Sequence, residues 1–295
     1  MKINTLFFVF MLVPFTAYLQ PKANFSVIIE KKEAPTTVMI KNESKGAESY
    51  TWDFGDGTTA KDTVSSHRYT HGGNYNITLT AIKGKKSNTM TQTIHIDTPA
   101  KCLIEITTDY GVMTAELYDA TPQHRDNFLK LAEEGFYNGL LFHRVIEGFM
   151  IQGGDPTSKD AAAGTPLGSG GPGYQVPAEF VDSLVHIKGA IAAARTGDSV
   201  NPEKKSSGSQ FYIVQGTPVD ANTLSMWERK KGVPYTEAQK KAYMEKGGTP
   251  SLDHEYTVFG HIVSGLDVLD KIAKVEKDGR DRPKTDVKMT IKVIR

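Results

Sequence analysis

The sequence predicts a mostly-β protein in two parts: a β-sandwich, followed by a closed or nearly closed antiparallel barrel plugged by helices. Three observations predict it. Residues 24–97 carry short alternating runs bounded by turn residues. Residues 101–295 open on a hairpin signal and end on a strand that alternates apolar with polar. Two helix signatures stand at opposite ends of that second part. The 295 residues suffice for two domains, and 39% hydrophobic with 23% charged is ordinary for a globular chain.

Lys2 precedes an apolar stretch over 6–19. A helix needs about 20 such residues to cross a bilayer, so this one is short for a span but right for a signal-peptide core. Residues 1–23 are therefore read as a signal peptide or N-terminal anchor, which predicts export to the periplasm or the exterior. A membrane is expected as a partner only if that segment stays uncleaved. The net charge of +1, without a dense Lys/Arg tract, gives no electrostatic reason to bind nucleic acid. Cys102 is the single cysteine, which excludes an intramolecular disulfide and a cysteine-based zinc cluster. No metal and no cofactor are expected.

Between 24 and 97, runs at 26–29, 36–40, 49–54, 75–81 and 91–96 read as the strands of the sandwich. Trp52 and Phe54, two apart, point inward, while Gly55, Asp56 and Gly57 supply a tight turn. Asp53 and Asp56 are read as turn residues, since calcium takes six to eight oxygens. The segment from Trp52 to Thr58, followed by His67-x-Tyr69 and Gly73-x-Tyr75-x-Ile77-x-Leu79, resembles a polycystic-kidney-disease (PKD) domain. That resemblance implies a spacer or adhesive module whose partner would be a surface or another protein.

Residues 98–100 form a linker, and 101–295 a second domain. Runs at 103–107 and 112–117 around Asp109-Tyr-Gly111 predict a hairpin. Thr121 and Pro122 predict the start of a helix with Phe128, Leu131 and Ala132 on one face and Gly135 as its stop. Ser264 with Asp267 predicts a capping box for a second helix carrying Val268, Leu269 and Ile272 inward. Val287, Met289, Ile291 and Val293 alternate along the last strand.

The stretch FHRVIEGFMIQGGD at 142–155 sets Arg144 in a run that reads as a buried strand. A cation there is costly unless paired or facing a cleft. It is either half of an ion pair, with Glu105, Glu116 or Glu147, or a working group. Gln152, eight residues on, is expected on Arg144's side of one extended strand.

That stretch, with GSQFYIV at 208–214 and LDHEYTVFG at 252–260, resembles the cyclophilin family of peptidyl-prolyl isomerases over about 101–295. The resemblance implies an eight-stranded barrel with two capping helices, acting on Xaa-Pro bonds of proline-containing polypeptides. It implies Arg144 as the catalytic arginine and Gln152 as the residue that orients it. Phe149, Met150, Gln210, Phe211, Tyr212, Leu252 and Tyr256 become walls of the substrate site, and Ala194 and Arg195 the edge that pairs with the bound peptide. Two departures stand out. Tyr212 replaces a common phenylalanine, and its hydroxyl needs a partner. Ser251 replaces a tryptophan that helps many eukaryotic members bind cyclosporin, which implies weaker drug binding.

Apolar Phe149, Met150, Phe211 and Leu252 supply a slot for a pyrrolidine ring, and Arg144 a donor that keeps its proton. This favours the working cation and an isomerase that assists folding of exported proteins. The competing class is a non-catalytic protein that binds proline peptides or adheres through both domains. The Gly168–Gly173 segment spells G-x-G-x-x-G but does not open a helix, so it is read as a surface loop. A helical insertion is expected over about 220–248, with Ser225/Glu228 and Thr236/Gln239 as capping pairs and Gly232 and Gly247-Gly248 as stops. It forms either a rim beside the site or a solvated lysine-rich excursion.

Overall fold

The computed structural model describes residues 20–294, and these divide into two compact units at Thr98/Pro99. The predicted signal segment lies almost wholly outside the described residues. Among those described, no helix is long and apolar enough to cross a membrane.

The first unit is all strand: β1 Phe25–Ile28, β2 Thr36–Asn42, β3 Ser49–Asp53, β4 Thr59–Lys61, β5 Ser66–Tyr69, β6 Gly73–Lys83 and β7 Lys86–Ile96. They form two antiparallel sheets, ordered β1-β2-β5 and β4-β3-β6-β7. Trp52 and Phe54 are buried, as their spacing predicted. The Trp52 indole N–H donates to Asp62 O at 3.0 Å, and the Tyr69 hydroxyl donates to Phe54 O at 2.9 Å. The two aspartates work locally. Asp53 Oδ1 accepts from Gly55 N, Asp56 Oδ1 from Thr58 N, and Asp56 Oδ2 meets His67 Nε2 at 2.7 Å.

In the second unit, β8 Leu103–Thr108 and β9 Gly111–Leu117 make the expected hairpin, and α1 Pro122–Glu133 follows. Then come β10 Arg144–Ile146, β11 Met150–Gly153, β12 Gln175–Val176, β13 Ala190–Ala193, β14 Ser206–Ser207 and β15 Phe211–Val214. The chain ends with α2 Ala221–Lys231, α3 Glu237–Lys246, β16 Val258–Ser264, α4 Leu266–Ala273 and β17 Thr290–Ile294. Eight strands form one antiparallel sheet, ordered β10-β11-β15-β13-β16-β9-β8-β17. It curls so that the chain before β10 meets the chain before β17. Gly139 N donates to Met289 O, Met289 N to Leu140 O, and Phe142 N to Val287 O, all within 2.8–2.9 Å. The result is a half-barrel whose core holds Ile104, Ile106, Met113, Phe142, Ile151, Ile191, Ile213 and Ile291. Phe128, Leu131 and Ala132 of α1, and Val268, Leu269 and Ile272 of α4, are buried in the same core.

Three expectations about helix starts are corrected. Ser264 belongs to β16, and Gly265, at φ 91°, is the residue that precedes α4. A left-handed turn from strand to helix leaves no place for a serine cap, and Asp267 pairs with Lys271 at 2.8 Å instead. Ser225 lies inside α2, which starts four residues earlier, because Asp220 accepts from the backbone N–H groups of Asn222 and Thr223. Thr121 does precede α1, but its side chain caps nothing. The cap comes from Glu179, whose carboxylate accepts from Gln123 N at 3.1 Å and His124 N at 3.0 Å. The Thr236/Gln239 capping box is present as predicted, and Gly232 and Gly247 end their helices.

Glu179 also meets His124 Nδ1 at 2.6 Å, while His124 Nε2 meets Ser206 Oγ at 2.9 Å. One carboxylate thus satisfies two orphan helix donors and a buried ring. Glu179→Ala is expected to cost the second unit about 1–3 kcal/mol. Urea unfolding followed by circular dichroism measures it, and an unchanged midpoint would contradict this role for the cap.

Candidate active site

The 142–155 stretch folds as a hairpin, not as one strand. Ile146 and Phe149 close the turn through a backbone hydrogen bond of 3.1 Å, with Gly148 at φ 76° between them. In register, Arg144 faces Gln152, Val145 faces Ile151 and Ile146 faces Met150. Gln152 therefore neighbours Arg144 across two strands rather than along one. Alternation sends Val145 and Ile151 into the core and leaves Arg144 and Gln152 on the other face.

The pairing continues across the sheet: Gln152 faces Tyr212, Tyr212 faces Ala192, and Ala192 faces Val258. One row of side chains thus crosses five strands on the outer face. A cleft of about 380 Å³ opens over it, lined by Arg144, Phe149, Met150, Gln152, Ala194, Arg195, Tyr212, Leu252 and Tyr256 among others. Gln210 lines an adjoining groove with Gly168–Gly171 and Ser207.

Phe211 is the exception among the predicted walls. It is buried in the barrel core, edge-on to Phe128 and Tyr137, with ring centroids 5.2 and 5.7 Å away. Neighbours on a strand face opposite sides, so Phe211 and Tyr212 cannot both line the cleft, and Tyr212 takes that place.

Arg144 is 44% exposed, and its Nε lies 3.7 Å from Oδ2 of Asp281, itself 43% exposed. A solvated pair of that length stabilises little. Glu116, one of the partners considered from sequence, is engaged by Lys101 at 2.7 Å. Gln152 does not hydrogen-bond Arg144. Its Nε2 donates to Gln210 Oε1 at 3.1 Å, and Gln210 Nε2 donates to the carbonyls of Gly168 and Gly170 at 2.9 and 2.7 Å. Arg195 is locked: it donates to Glu255 O at 2.7 Å and Thr196 O at 3.0 Å, and lies 4.7 Å over the Tyr256 ring.

The first unit and the second each match a family model. Residues 103–293 match the cyclophilin type peptidyl-prolyl cis-trans isomerase/CLD family, and that is well over half the chain. The chain belongs to the cyclophilin type peptidyl-prolyl isomerases. Residues 20–98 match the PKD domain. A Streptococcus pyogenes serotype M6 protein named "Putative bifunctional phosphatase/peptidyl-prolyl cis-trans isomerase" is 42% identical over 188 residues, 62% of this chain but only 37% of that longer protein. A Staphylococcus saprophyticus "Putative peptidyl-prolyl cis-trans isomerase" is 40% identical over 184 residues, 61% of this chain and 85% of that one. A solved Cryptosporidium parvum cyclophilin type peptidyl-prolyl cis-trans isomerase aligns at TM-score 0.48 and 24% identity, covering 66% of this chain and 98% of that one.

As a cyclophilin-type isomerase the chain acts on proline-containing polypeptides, and its cleft is shaped by residues the sequence did not single out. The Tyr212 hydroxyl has the partner it requires: it meets His186 Nε2 at 2.9 Å. Asp155, the last residue of the 142–155 stretch, is fully buried. Its carboxylate accepts from Thr157 N and Oγ1 at 2.8 and 2.6 Å and from Gly168 N at 2.5 Å, with Gly170 N at 3.3 Å. A side chain at Gly170 would collide with that carboxylate. The glycine-rich segment is therefore a groove wall pinned by Asp155, and a spelling match to a phosphate loop gave no hint of it.

Burial pushes the Asp155 carboxyl up, but the hydrogen bonds from Thr157, Gly168 and Gly170 outweigh it and hold the group below the usual carboxylate range. A depressed folded-state pKa gives stabilisation that is complete above the unfolded value, about 3.9, and is lost as pH falls through the lower folded value. Asp155→Asn removes that dependence. It should cost about 1–3 kcal/mol at pH 7, and the gap from the unmodified protein should narrow at about pH 3, below the unfolded value. Urea midpoints at the two pH values test this, and a gap that widens in acid would refute it.

Proposed function

We propose that the chain isomerises Xaa-Pro bonds without covalent chemistry, with Arg144 as the electrostatic donor, and that its clients are exported polypeptides. The observation that carries the mechanism is the outer row of Arg144, Gln152 and Tyr212 beside an apolar patch of Phe149, Met150, Ala192 and Leu252. Rotating an amide costs about 18–20 kcal/mol because the C–N bond has partial double-bond character. No bond need break. An apolar slot grips the pyrrolidine ring, and a cation beside it favours the twisted amide, in which the prolyl nitrogen regains its lone pair.

Arg144 suits this role because its charge persists at any ordinary pH and, among the described residues, its Nη groups have no hydrogen-bond partner. Gln152 and Gln210 hold the glycine segment beside it, so Gln152 acts on Arg144 by filling the adjacent register position. Ala194, Arg195 and Gln210 border the neighbouring groove, where the polypeptide on either side of the proline would lie. Export is supported by the apolar stretch at 6–19 following Lys2. The PKD unit serves as a spacer or adhesive module, since every residue that lines the cleft belongs to the second unit.

Arg144→Ala should lower kcat/KM by about two decades, as loss of one oriented donor does, with little change in melting temperature because the residue is half-exposed and weakly paired. A protease-coupled assay on a proline tetrapeptide reads the rate. Near-normal turnover, or an unfolded variant, would falsify the assignment. Deleting residues 24–97 should leave turnover of short peptides within about twofold, a free-energy change of about 0.4 kcal/mol. A collapse in a correctly folded truncation would require the two units to share the site.

A further inference from the structure

The insertion formed by α2 and α3 is neither a rim nor a solvated excursion at its centre. Leu224, Tyr235 and Tyr243 are buried together with Val185 of the barrel unit. Both tyrosine hydroxyls donate to one atom, Oδ2 of Asp253, at 2.7 Å each. The other oxygen, Oδ1, accepts from His186 Nδ1 and from the His186 backbone N–H, both at 2.8 Å. The far side of the same ring meets the Tyr212 hydroxyl at 2.9 Å. A continuous chain of hydrogen bonds therefore runs from the insertion to the cleft wall, and Tyr243, Asp253, His186 and Tyr212 are all buried.

The donors and acceptors fit one arrangement. An ionised carboxylate only accepts, so His186 Nδ1 carries a proton toward Asp253, and Nε2 on the far side of the ring is left to meet the Tyr212 hydroxyl. Burial raises the Asp253 carboxyl, yet the hydrogen bonds from His186 and the two tyrosine hydroxyls hold it below its ordinary value. Four donors saturate a carboxylate that would otherwise be prohibitive to bury.

Position matters as much as saturation. Asp253 directly follows Leu252, a cleft wall, and lies three residues before Tyr256, another wall whose ring meets that of Tyr212 edge-on at 5.7 Å. A second link runs in parallel: Lys231 of α2 meets Glu255 at 3.1 Å, and Glu255 also holds Arg195, which lies on Tyr256.

We infer that Tyr235 and Tyr243 are positioning residues for the proline slot: through Asp253 and His186 they fix the Tyr212 ring and the Leu252 turn, and so set how tightly the slot grips the pyrrolidine ring. The inference rests on the isomerase reading above. Since a wall grips substrate and twisted amide alike, its loss should appear in KM rather than kcat.

The test uses the full chain and four proteins: unmodified, Tyr235→Phe/Tyr243→Phe, Tyr212→Phe, and the three changes combined. KM and kcat are measured on a proline tetrapeptide, with thermal melts alongside. The insertion pair should raise KM about five- to tenfold, the scale of one or two lost hydrogen bonds, with kcat within about twofold. With Tyr212→Phe already present, the pair should add almost nothing, because the relay is already cut. Should the pair fold poorly, Tyr235→Phe and Tyr243→Phe are measured singly against Tyr212→Phe. A lower melting temperature with KM unchanged, or effects that simply add, would overturn the inference and leave the network a stabiliser of the fold. Absence of turnover in the unmodified protein would sink the isomerase reading instead. The relay is then decided by the nitrogen resonances of the His186 ring: the insertion pair must shift Nε2 as well as Nδ1, and an unmoved Nε2 overturns it.

Discussion

Side-chain alternation along an antiparallel strand is the constraint on which the rest of the second unit depends. Each of β10, β11, β15 and β13 must give every other residue to the barrel core. Val145, Ile151, Ile213 and Ile191 fill it, and the residues between them have no choice but the outer face. Register then decides which outer residues meet. Arg144, Gln152, Tyr212 and Ala192 form a row because core packing and hydrogen-bond pairing leave one alignment, and a slip of one residue would bury the arginine. The cleft is in this sense a by-product of a well-packed barrel.

A sheet can place a row of side chains but cannot hold the loops that wall a cleft. Buried or half-buried carboxylates do that. Asp155 pins the glycine segment at 168–170, Glu179 caps α1 and orients His124, Asp253 ties the turn at Leu252 to His186, and Glu255 gathers Arg195, Lys204 and Lys231. In each case an acceptor-only group faces several donors from segments distant in sequence, which fixes the approach of those segments in a way apolar contact does not. Glu255 is the most exposed of the four, with its side chain at 31%, so its ion pairs are the most weakened by solvent.

Much of this was legible in the sequence, and what was not has a common cause. Turns and strands declare themselves locally, so the Trp52/Phe54 pair, the β8–β9 hairpin, the inward faces of α1 and α4 and the Thr236 capping box could be read from spacing alone. The caps of α1 and α4 could not. Glu179 lies 55 residues from His124, whose backbone N–H it accepts, and Gly265 replaces a serine that spells a perfectly good capping box. The 142–155 stretch misled in the same way, since continuous apolar character hides a two-strand hairpin with Gly148 at its turn. Phe211 was assigned to the cleft by family resemblance together with Tyr212, although period-two alternation forbids that both face it. His186 and Asp253 carry no local signal at all: each is ordinary until folding places one beside the other.

The two sides of the cleft are built to opposite specifications, and the chemistry explains why. In the mechanism proposed for this cleft, the twisted amide differs from the planar one mainly in charge at the prolyl nitrogen, so a group placed to sense the difference would gain from being half-exposed and weakly paired, as Arg144 is. The slot has the contrary task. It must hold the ring in one place while the bond turns, and because it grips the planar and the twisted amide alike, its rigidity sets how tightly the substrate is held. A tyrosine at the slot is tolerable only if its hydroxyl is buried with a partner, and once His186 provides it the hydroxyl adds a point of attachment that phenylalanine would lack. The departure at residue 212 and the helices inserted between β15 and Leu252 are thus one structural solution, joined through a single buried carboxylate.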